Sequence, residues 1–521
     1  MTESAPASVQ RVQVVVEGTG LTPEEVVAVA RRDAPVSLGE RARKAIAASR
    51  QIVDALADSD QPVYGVSTGF GALATVFIPP ERRTDLQTAV IRSHAAGIGP
   101  AIEREVVRAT MVLRLRSLAM GHSGVRGEVA EQMAAVLNAG ITPVVPEHGS
   151  LGCSGDLAPL AHIGMTLIGE GQAEGPDGTV VDAAHALDAA GITPLRLQAK
   201  EGLALINGTD GMLANLVLAC ADTGLLLRTA EVAAAMSIEA LMGTDRTFSE
   251  DLTALRAHPG QAISARNLCR LMAGSGVVTS HREAHGRIQD AYSLRCAPQV
   301  TGAARDTLLW VEGVVGAELE SAIDNPVVLT DGTVASSGNF HGAPLALAAD
   351  FLGIAAADVG AISERRVDRL MDANRSDGLP PFLGEDPGVD SGLMIAQYSA
   401  AALVAENRRL AAPASVDTIP TSAMQEDHVS MGWAATRKLR ILLANLRDIV
   451  AVELLAAARA LDLRAPLTPS PASAAVMARI RAGVAGPGPD RFVSPEIAAV
   501  SDLVAGGDIL AAAESAVGPI D

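Results

Sequence analysis

Gly149-Ser150-Leu151-Gly152-Cys153-Ser154-Gly155-Asp156-Leu157-Ala158-Pro159-Leu160 is the stretch on which the reading of this chain turns. Small residues bracket Ser154, and an acid follows two positions later. The spacing approaches a serine-nucleophile elbow, G-x-S-x-G, but that turn needs glycine where Asp156 stands. Read locally, the segment is a glycine-rich turn that runs into a helix. Gly152 and Gly155 give the backbone conformations closed to other residues. Asp156 is a suitable N-cap, and Pro159 fits the first helical turn.

Composition narrows the setting of that turn. The chain has 521 residues, enough for one large domain or several smaller ones. Hydrophobic residues make up 48% and aromatics only 2%, so a core must be built from Ala, Leu, Val and Ile. Such a composition suits closely packed helices. A net charge of −19 argues against nucleic acid or an anionic membrane surface as partner. Cys153, Cys220, Cys269 and Cys296 are widely spaced, with no C-x-x-C pair. That argues against a zinc site and a disulfide framework and points to a reducing, cytoplasmic setting. Met1 to Gln10 lacks the pattern of a secretory signal, and Asp222 and Asp358 interrupt the longest apolar runs, so no transmembrane helix is expected.

Outward from the turn, helical signals dominate. Arg11 to Glu17 reads as a short strand, and Thr22-Pro23-Glu24-Glu25 is a capping box that opens a helix. Ser37-Leu38-Gly39-Glu40 repeats the box and predicts a helix to about Ser59. Val63-Tyr64-Gly65-Val66-Ser67-Thr68-Gly69-Phe70-Gly71 is a flexible loop without the G-K-[ST] of a phosphate-binding loop. Glu103 to Leu137 reads as two helices split near Gly121 to Gly127. Gly175-Pro176-Asp177-Gly178 predicts a hairpin turn, and Val327 to Ala335 a second short hairpin. His281 and His285 have metal-ligand spacing, but no third ligand is apparent and arginines crowd them, so no metal is expected. After Pro344, apolar residues recur at Leu345, Ala348, Leu352, Ala355, Val359 and Ile362, the spacing of a long helix in a bundle seam. Ser391 to Leu410 and Arg437 to Leu463 predict further helices, and Gly486-Pro487-Gly488-Pro489 marks a tail that wraps around the outside.

Separated motifs occur in one order along the chain. They are Tyr64 in its glycine loop, Ser93-His94, Gly152-Cys153-Ser154-Gly155-Asp156, Asn207-Gly208-Thr209-Asp210, Gln289 to Gln299 and Gly338-Asn339-Phe340-His341. Together they closely resemble the histidine and aromatic amino acid ammonia-lyases, over roughly Pro62 to Leu463. The resemblance implies an internal electrophile, 4-methylidene-imidazol-5-one (MIO), condensed from Cys153, Ser154 and Gly155, with no external cofactor. The amide nitrogen of Gly155 would attack the carbonyl of Cys153, and Ser154 would lose its hydroxyl as water. The usual first residue is Ala; the Cys153 side chain stays outside the new ring.

The resemblance also assigns roles. Asn207 corresponds to the residue that hydrogen-bonds the ring carbonyl oxygen, and Arg295 to the clamp on the substrate carboxylate. Tyr64 and Tyr292 correspond to two active-site tyrosines, either of which could be the base. Gln289, Phe340 and Met394 are expected to line the site. His94 and Glu406 are what members acting on histidine are expected to carry, because a carboxylate can hold an imidazole N–H and a benzene ring offers none. The implied activity is elimination of ammonia from L-histidine to give trans-urocanate. The alternatives are a phenylalanine or tyrosine ammonia-lyase or aminomutase, or a helical scaffold without catalysis. The implied fold is mainly all-α, with a part over 1–210 carrying the electrophile, a long-helix bundle over 211–465 and a helical tail over 466–521. The implied assembly is a homotetramer whose sites collect residues from several subunits.

Overall fold

The computed structural model describes residues 13–57, 67–69, 73, 75–282 and 288–521. Helices dominate, and the strands among the described residues are short. The residues group into two units that interleave along the chain. One draws on Met1–Leu218, Gly313–Ala349 and Ala414–Arg437, the other on Ala219–Glu312, Asp350–Pro413 and Lys438–Asp521. This differs from the three consecutive segments expected from sequence. The boundaries fall inside long helices that local composition reads as continuous, such as Asp210–Ala240 and Gly432–Asp462.

The first unit opens on Val14–Val16, which pairs in parallel with Val36–Leu38 across the helix Pro23–Arg32. The box at Thr22 forms as read: Thr22 Oγ1 accepts from Glu25 N at 3.2 Å, and Glu25 Oε2 accepts from Thr22 N at 2.9 Å. The second box does not form. Ser37 lies inside the strand, and the helix Glu40–Ala57 takes its N-terminal acceptor from Glu17, whose Oε2 receives Ala42 N at 3.0 Å. Strand pairing there outweighs the local capping preference, since it satisfies the backbone groups of two segments at once. Both predicted hairpins are present, as Gln172–Glu174 with Val180–Asp182 and Val327–Val328 with Val334–Ala335.

The centre of this unit is the helix Arg104–Ala119, buried from Val106 to Ala119. Three of its buried side chains are arginines, and each donates to backbone carbonyls of other segments. Arg108 donates to Val29 O and Leu137 O at 3.1 and 3.2 Å, and Arg116 to Leu319 O at 3.0 Å. Leu137 and Leu319 lie at helix C-termini, where the carbonyls point out and carry partial negative charge. Arg114 donates to Asn207 O and Asp210 Oδ2, both at 2.8 Å, and Asp210 also accepts from Ser117 Oγ at 2.7 Å.

The second unit is built from long and short helices with an aliphatic core. Helix Gly432–Asp462 is buried almost without a break from Ile449 to Leu461. Its one acid in that stretch, Glu453, accepts from Ser237 Oγ at 2.7 Å and from Arg366 Nη2 at 2.9 Å. Glu231 is held by Arg305 at 2.8 Å and Asn267 at 2.8 Å. Glu239 accepts the backbone N–H of Ser470 at 3.0 Å, and burial pushes its carboxyl up to about 7. The tail packs more closely than its glycine-proline composition suggests: Pro471–Arg481 and Asp508–Val517 lie against each other with Val476, Ile480, Ile509 and Ala513 buried.

In the helix Ala343–Met371, Leu345, Ala348, Leu352 and Val359 of the predicted seam are buried, and Ala355 and Ile362 are half-buried. This helix and Asp210–Ala240 are long and apolar enough to cross a membrane by length and composition. Most of the apolar stretch of Asp210–Ala240 is buried in protein, and Glu231 and Glu239 on it are paired there. That is the composition of a core helix.

Arg114 and Asp210 are both fully buried, so removing one leaves the other as an uncompensated charge. Arg114→Ala is therefore expected to cost about 3–5 kcal/mol in urea unfolding. Arg92→Ala, which breaks the exposed pair with Glu170, should cost less than about 1 kcal/mol. Similar losses in the two variants would refute this account of the core.

Candidate active site

The strand Pro146–His148 pairs antiparallel with Ile98–Ala101 and delivers the chain into the Gly149 turn. The turn is held from several sides within the first unit. Gly152 O accepts from Ser430 Oγ at 2.8 Å and Gly342 N at 3.2 Å, and Leu151 O accepts from Met431 N at 2.9 Å. Asp156 N donates to Gly208 O at 2.7 Å. Gly152 and Gly155 both lie in the left-handed region, with φ of 70° and 74°. A Cβ on Gly155 would sit 2.1 Å from Gly208 O, so only glycine fits there.

Asp156 precedes its helix as expected, but its carboxylate does not cap it. Oδ2 accepts from Met212 N at 2.8 Å, and Oδ1 from Ser150 Oγ at 2.9 Å, while Ser150 Oγ accepts from Gly152 N at 3.1 Å. The side chain thus ties the turn to the start of the helix Asp210–Ala240. Complete burial pushes its carboxyl up to about 7 in spite of those donors.

Ser154 points at a carboxylate the sequence reading did not select. Its Oγ donates to Glu426 Oε1 at 2.7 Å, and the Cys153 thiol approaches Glu426 Oε2 at 3.2 Å. Thr421 Oγ1 donates to Glu426 Oε2 at 2.8 Å. Burial alone would raise the Glu426 carboxyl. The hydrogen bonds from Ser154, Cys153 and Thr421 and the charge of His94 outweigh it and leave the group below its ordinary value. Glu426 is therefore anionic at neutral pH. Its only local sign in the sequence is the polar run Gln425-Glu426-Asp427-His428, which follows no helical or strand period.

His94 ends the helix Arg83–His94. Its Nδ1 lies 2.8 Å from Val90 O, which can only accept. Nδ1 therefore carries a proton, which leaves Nε2 as the ring nitrogen for a further partner. Asn207 is buried between the two clasping segments: Nδ2 donates to Asn325 O at 3.3 Å, and Oδ1 has no partner. Phe340, half-buried, lies two residues before Gly342, which binds the turn. The first unit thus assembles His94, Cys153, Ser154, Gly155, Asn207 and Glu426 around one turn, with Phe340 nearby in the chain.

Gln289, Tyr292, Arg295, Met394 and Glu406 belong to the second unit. Tyr292 and Arg295 bound one short helix, with the guanidinium over the phenol ring at 4.8 Å. Tyr292 is 71% exposed. Arg295 and Gln289 line a hollow of about 670 Å³ with Asp245, Arg246 and His281. Arg295 Nε is buried without a partner. Met394 begins the helix Met394–Leu410, and Glu406 lies on it. The Glu406 carboxylate is half-exposed and taken up by Arg409, whose Nε is 3.1 Å away; that hydrogen bond keeps its carboxyl below the ordinary value. The carboxylate on Ser154 is that of Glu426, which was not selected from the sequence. Tyr64 and His285 lie outside the described residues. Both ring nitrogens of His281 are occupied by carbonyls, of Val277 at 2.9 Å and Gly243 at 3.1 Å.

A sequence profile described as aromatic amino acid lyase matches residues 21–482. The chain is 62% identical to a histidine ammonia-lyase of Streptomyces griseus over 510 residues, 97% of this chain and 99% of the relative. Among solved structures it is similar to a tyrosine aminomutase of Streptomyces globisporus, with a TM-score of 0.92 and 40% identity over 98% of this chain and all of that one. It is also similar to a histidine ammonia-lyase of Trypanosoma cruzi, with a TM-score of 0.90 and 39% identity, covering 97% and 96% of the two chains. The chain belongs to the aromatic amino acid lyase family.

The residues at the turn fit an internal electrophile formed there. Gly155 sits where a Cβ is excluded, and Asn207 Nδ2, which makes one hydrogen bond, has a second hydrogen to donate. Ser154→Ala removes the hydroxyl that dehydration requires and little else. The intact mass of the wild-type chain is expected to be two waters below that of the translated sequence, and Ser154→Ala is expected to show no such deficit while keeping its fold by circular dichroism. A wild-type mass equal to the translated sequence in active protein would exclude the condensation.

Proposed function

We propose that this protein is a histidine ammonia-lyase, which eliminates ammonia from L-histidine to give trans-urocanate. The observation that carries the reading is the placement of Ser154 between the left-handed Gly152 and Gly155, beside the anionic Glu426 and the imidazole of His94. Identity of 62% to a histidine ammonia-lyase supports it.

In this reading Cys153, Ser154 and Gly155 condense to MIO, which supplies an electrophile for the substrate amine when formed. The rest of the work falls to ordinary side chains. Asn207 keeps a second Nδ2 hydrogen for the ring carbonyl oxygen. His94 Nε2 accepts the imidazole N–H of the substrate. Glu426 supplies negative charge at the same place, which favours a substrate with a donor or a cation there. Arg295 is the carboxylate clamp; its guanidinium is preorganised over Tyr292, and a planar fork suits a planar anion. Tyr64 and Tyr292 are the candidate bases. Gln289, Phe340 and Met394 line the site, and Glu406 remains a candidate for contact with substrate or with another copy.

The protein acts as a cytoplasmic homotetramer with sites shared between subunits, without external cofactor, nucleic acid or membrane. Large apolar side chains exposed on the described helices support assembly, among them Leu309, Trp310, Phe351, Ile395 and Tyr398. Similarity to a tyrosine aminomutase keeps a mutase as the second reading. His94 and Glu426 favour histidine over it, because an imidazole can donate to His94 and carry positive charge beside Glu426, and a phenyl ring can do neither.

Loss of the hydrogen bond to His94 and of the charge attraction to Glu426 implies a preference for histidine over phenylalanine of at least about 10-fold. The test offers histidine, phenylalanine and tyrosine separately and follows the unsaturated acids and the β-amino acids. Urocanate as the main product is expected, and Glu426→Gln should lower histidine turnover by about 10²-fold or more. Preference for tyrosine, or β-amino acid as the main product, would replace this reading with the mutase.

A further inference from the structure

Cys153 stands where the resemblance leads one to expect alanine, and its thiol is engaged. Sγ lies 3.2 Å from Glu426 Oε2, on the same carboxylate whose Oε1 holds Ser154 Oγ at 2.7 Å. The two contacts have different lifetimes if the lyase reading is right, and this inference rests on that reading. Condensation removes the Ser154 hydroxyl, and with it the shortest of the three side-chain hydrogen bonds to Glu426. What remains on the carboxylate is Thr421 Oγ1 at 2.8 Å and the thiol. An alanine at position 153 would leave Thr421 alone.

We propose that Cys153 is a positioning residue: its thiol holds the Glu426 carboxylate in place after Ser154 has lost its hydroxyl, and does not serve as a nucleophile. The Cys153 side chain is buried, and burial, followed by the adjacent carboxylate, pushes the thiol up to about 11. It is therefore S–H at neutral pH, a donor to the carboxylate. Thiol nucleophilicity belongs to the thiolate, so the same contact keeps a potential nucleophile quiet beside an electrophile. The other groups near the carboxylate are His94, from the end of the helix Arg83–His94, and the chain neighbours Asp427 and His428. His428 stacks on His341, with ring centroids 5.8 Å apart.

The test compares wild type with Cys153→Ala, Cys153→Ser, Glu426→Gln and the Cys153→Ala/Glu426→Gln double variant. Intact mass first establishes that the Cys153 variants still lose two waters. Removing a donor from an ionised carboxylate raises its pKa. The acid limb of the kcat/KM profile should therefore move to higher pH in Cys153→Ala, by about half a unit or more, with kcat affected more than KM. Cys153→Ser, which restores an O–H donor, should bring the limb back. The S–H stretching band is assigned by subtracting the matching Cys153→Ala spectrum. It should lie at a hydrogen-bonded position in wild type and shift towards the free position in Glu426→Gln, whose neutral amide is the weaker acceptor. An acid limb unchanged in Cys153→Ala, or an S–H band indifferent to Glu426→Gln, overturns the proposal. A wild type that neither loses two waters nor turns over histidine would sink the lyase reading instead. The S–H band would then decide the thiol–carboxylate contact by itself.

Discussion

The carboxylate of Asp156 is the constraint on which the site depends. It joins Ser150 within the turn to Met212 N at the start of a helix of 31 residues. A helix N-terminus has backbone donors without partners, and an acceptor there is favourable. Yet the group is wholly buried, and burial raises its carboxyl to about 7 against the pull of those donors. The turn is thus held by an acid whose ionisation is itself costly. Its backbone holds the same neighbours, through Asp156 N on Gly208 O and Gly155 against Gly208. Nothing at residues 152–155 can move far without breaking one of these contacts.

The charges around that turn are divided by function. Arg114 and Asp210 neutralise each other beneath it and fix Asn207 through its carbonyl oxygen. Lys200 and Asp324 form a second buried pair at 2.9 Å, next to Asn325, whose carbonyl receives the Asn207 amide. Glu426 differs from all of these. Its donors are neutral hydroxyl and thiol groups, so its charge is stabilised without being cancelled by an ion pair. The carboxylate of Glu406, by contrast, is paired with Arg409 on its own helix.

The same economy runs through the second unit, where Glu231 and Glu453 are each paired with arginine inside an aliphatic core. With aromatics at 2%, the core is made of small side chains, and helices come close enough for Ser237 and Ser363 to share one carboxylate. Polar groups of this kind specify which helix faces which, since a misplaced partner leaves a buried charge alone.

What the sequence by itself determined was local or ordered along the chain. The helical periods, both hairpins, the Thr22 capping box and the glycine turn follow from residues within a few positions of one another, because backbone preferences and helical side-chain neighbours act over that range. The order of motifs made the family legible. What only the tertiary structure decided was partnership between distant residues. Ser37 could have capped a helix, but pairs as a strand. Asp156 could have capped its own helix, but binds Met212. Glu406 and Glu426 are chemically the same side chain, and the helix around Glu406 makes it the more conspicuous in sequence. Glu426 meets Ser154 across 272 positions of chain. A contact of that separation is set by how the elements pack in space, and no local preference encodes it.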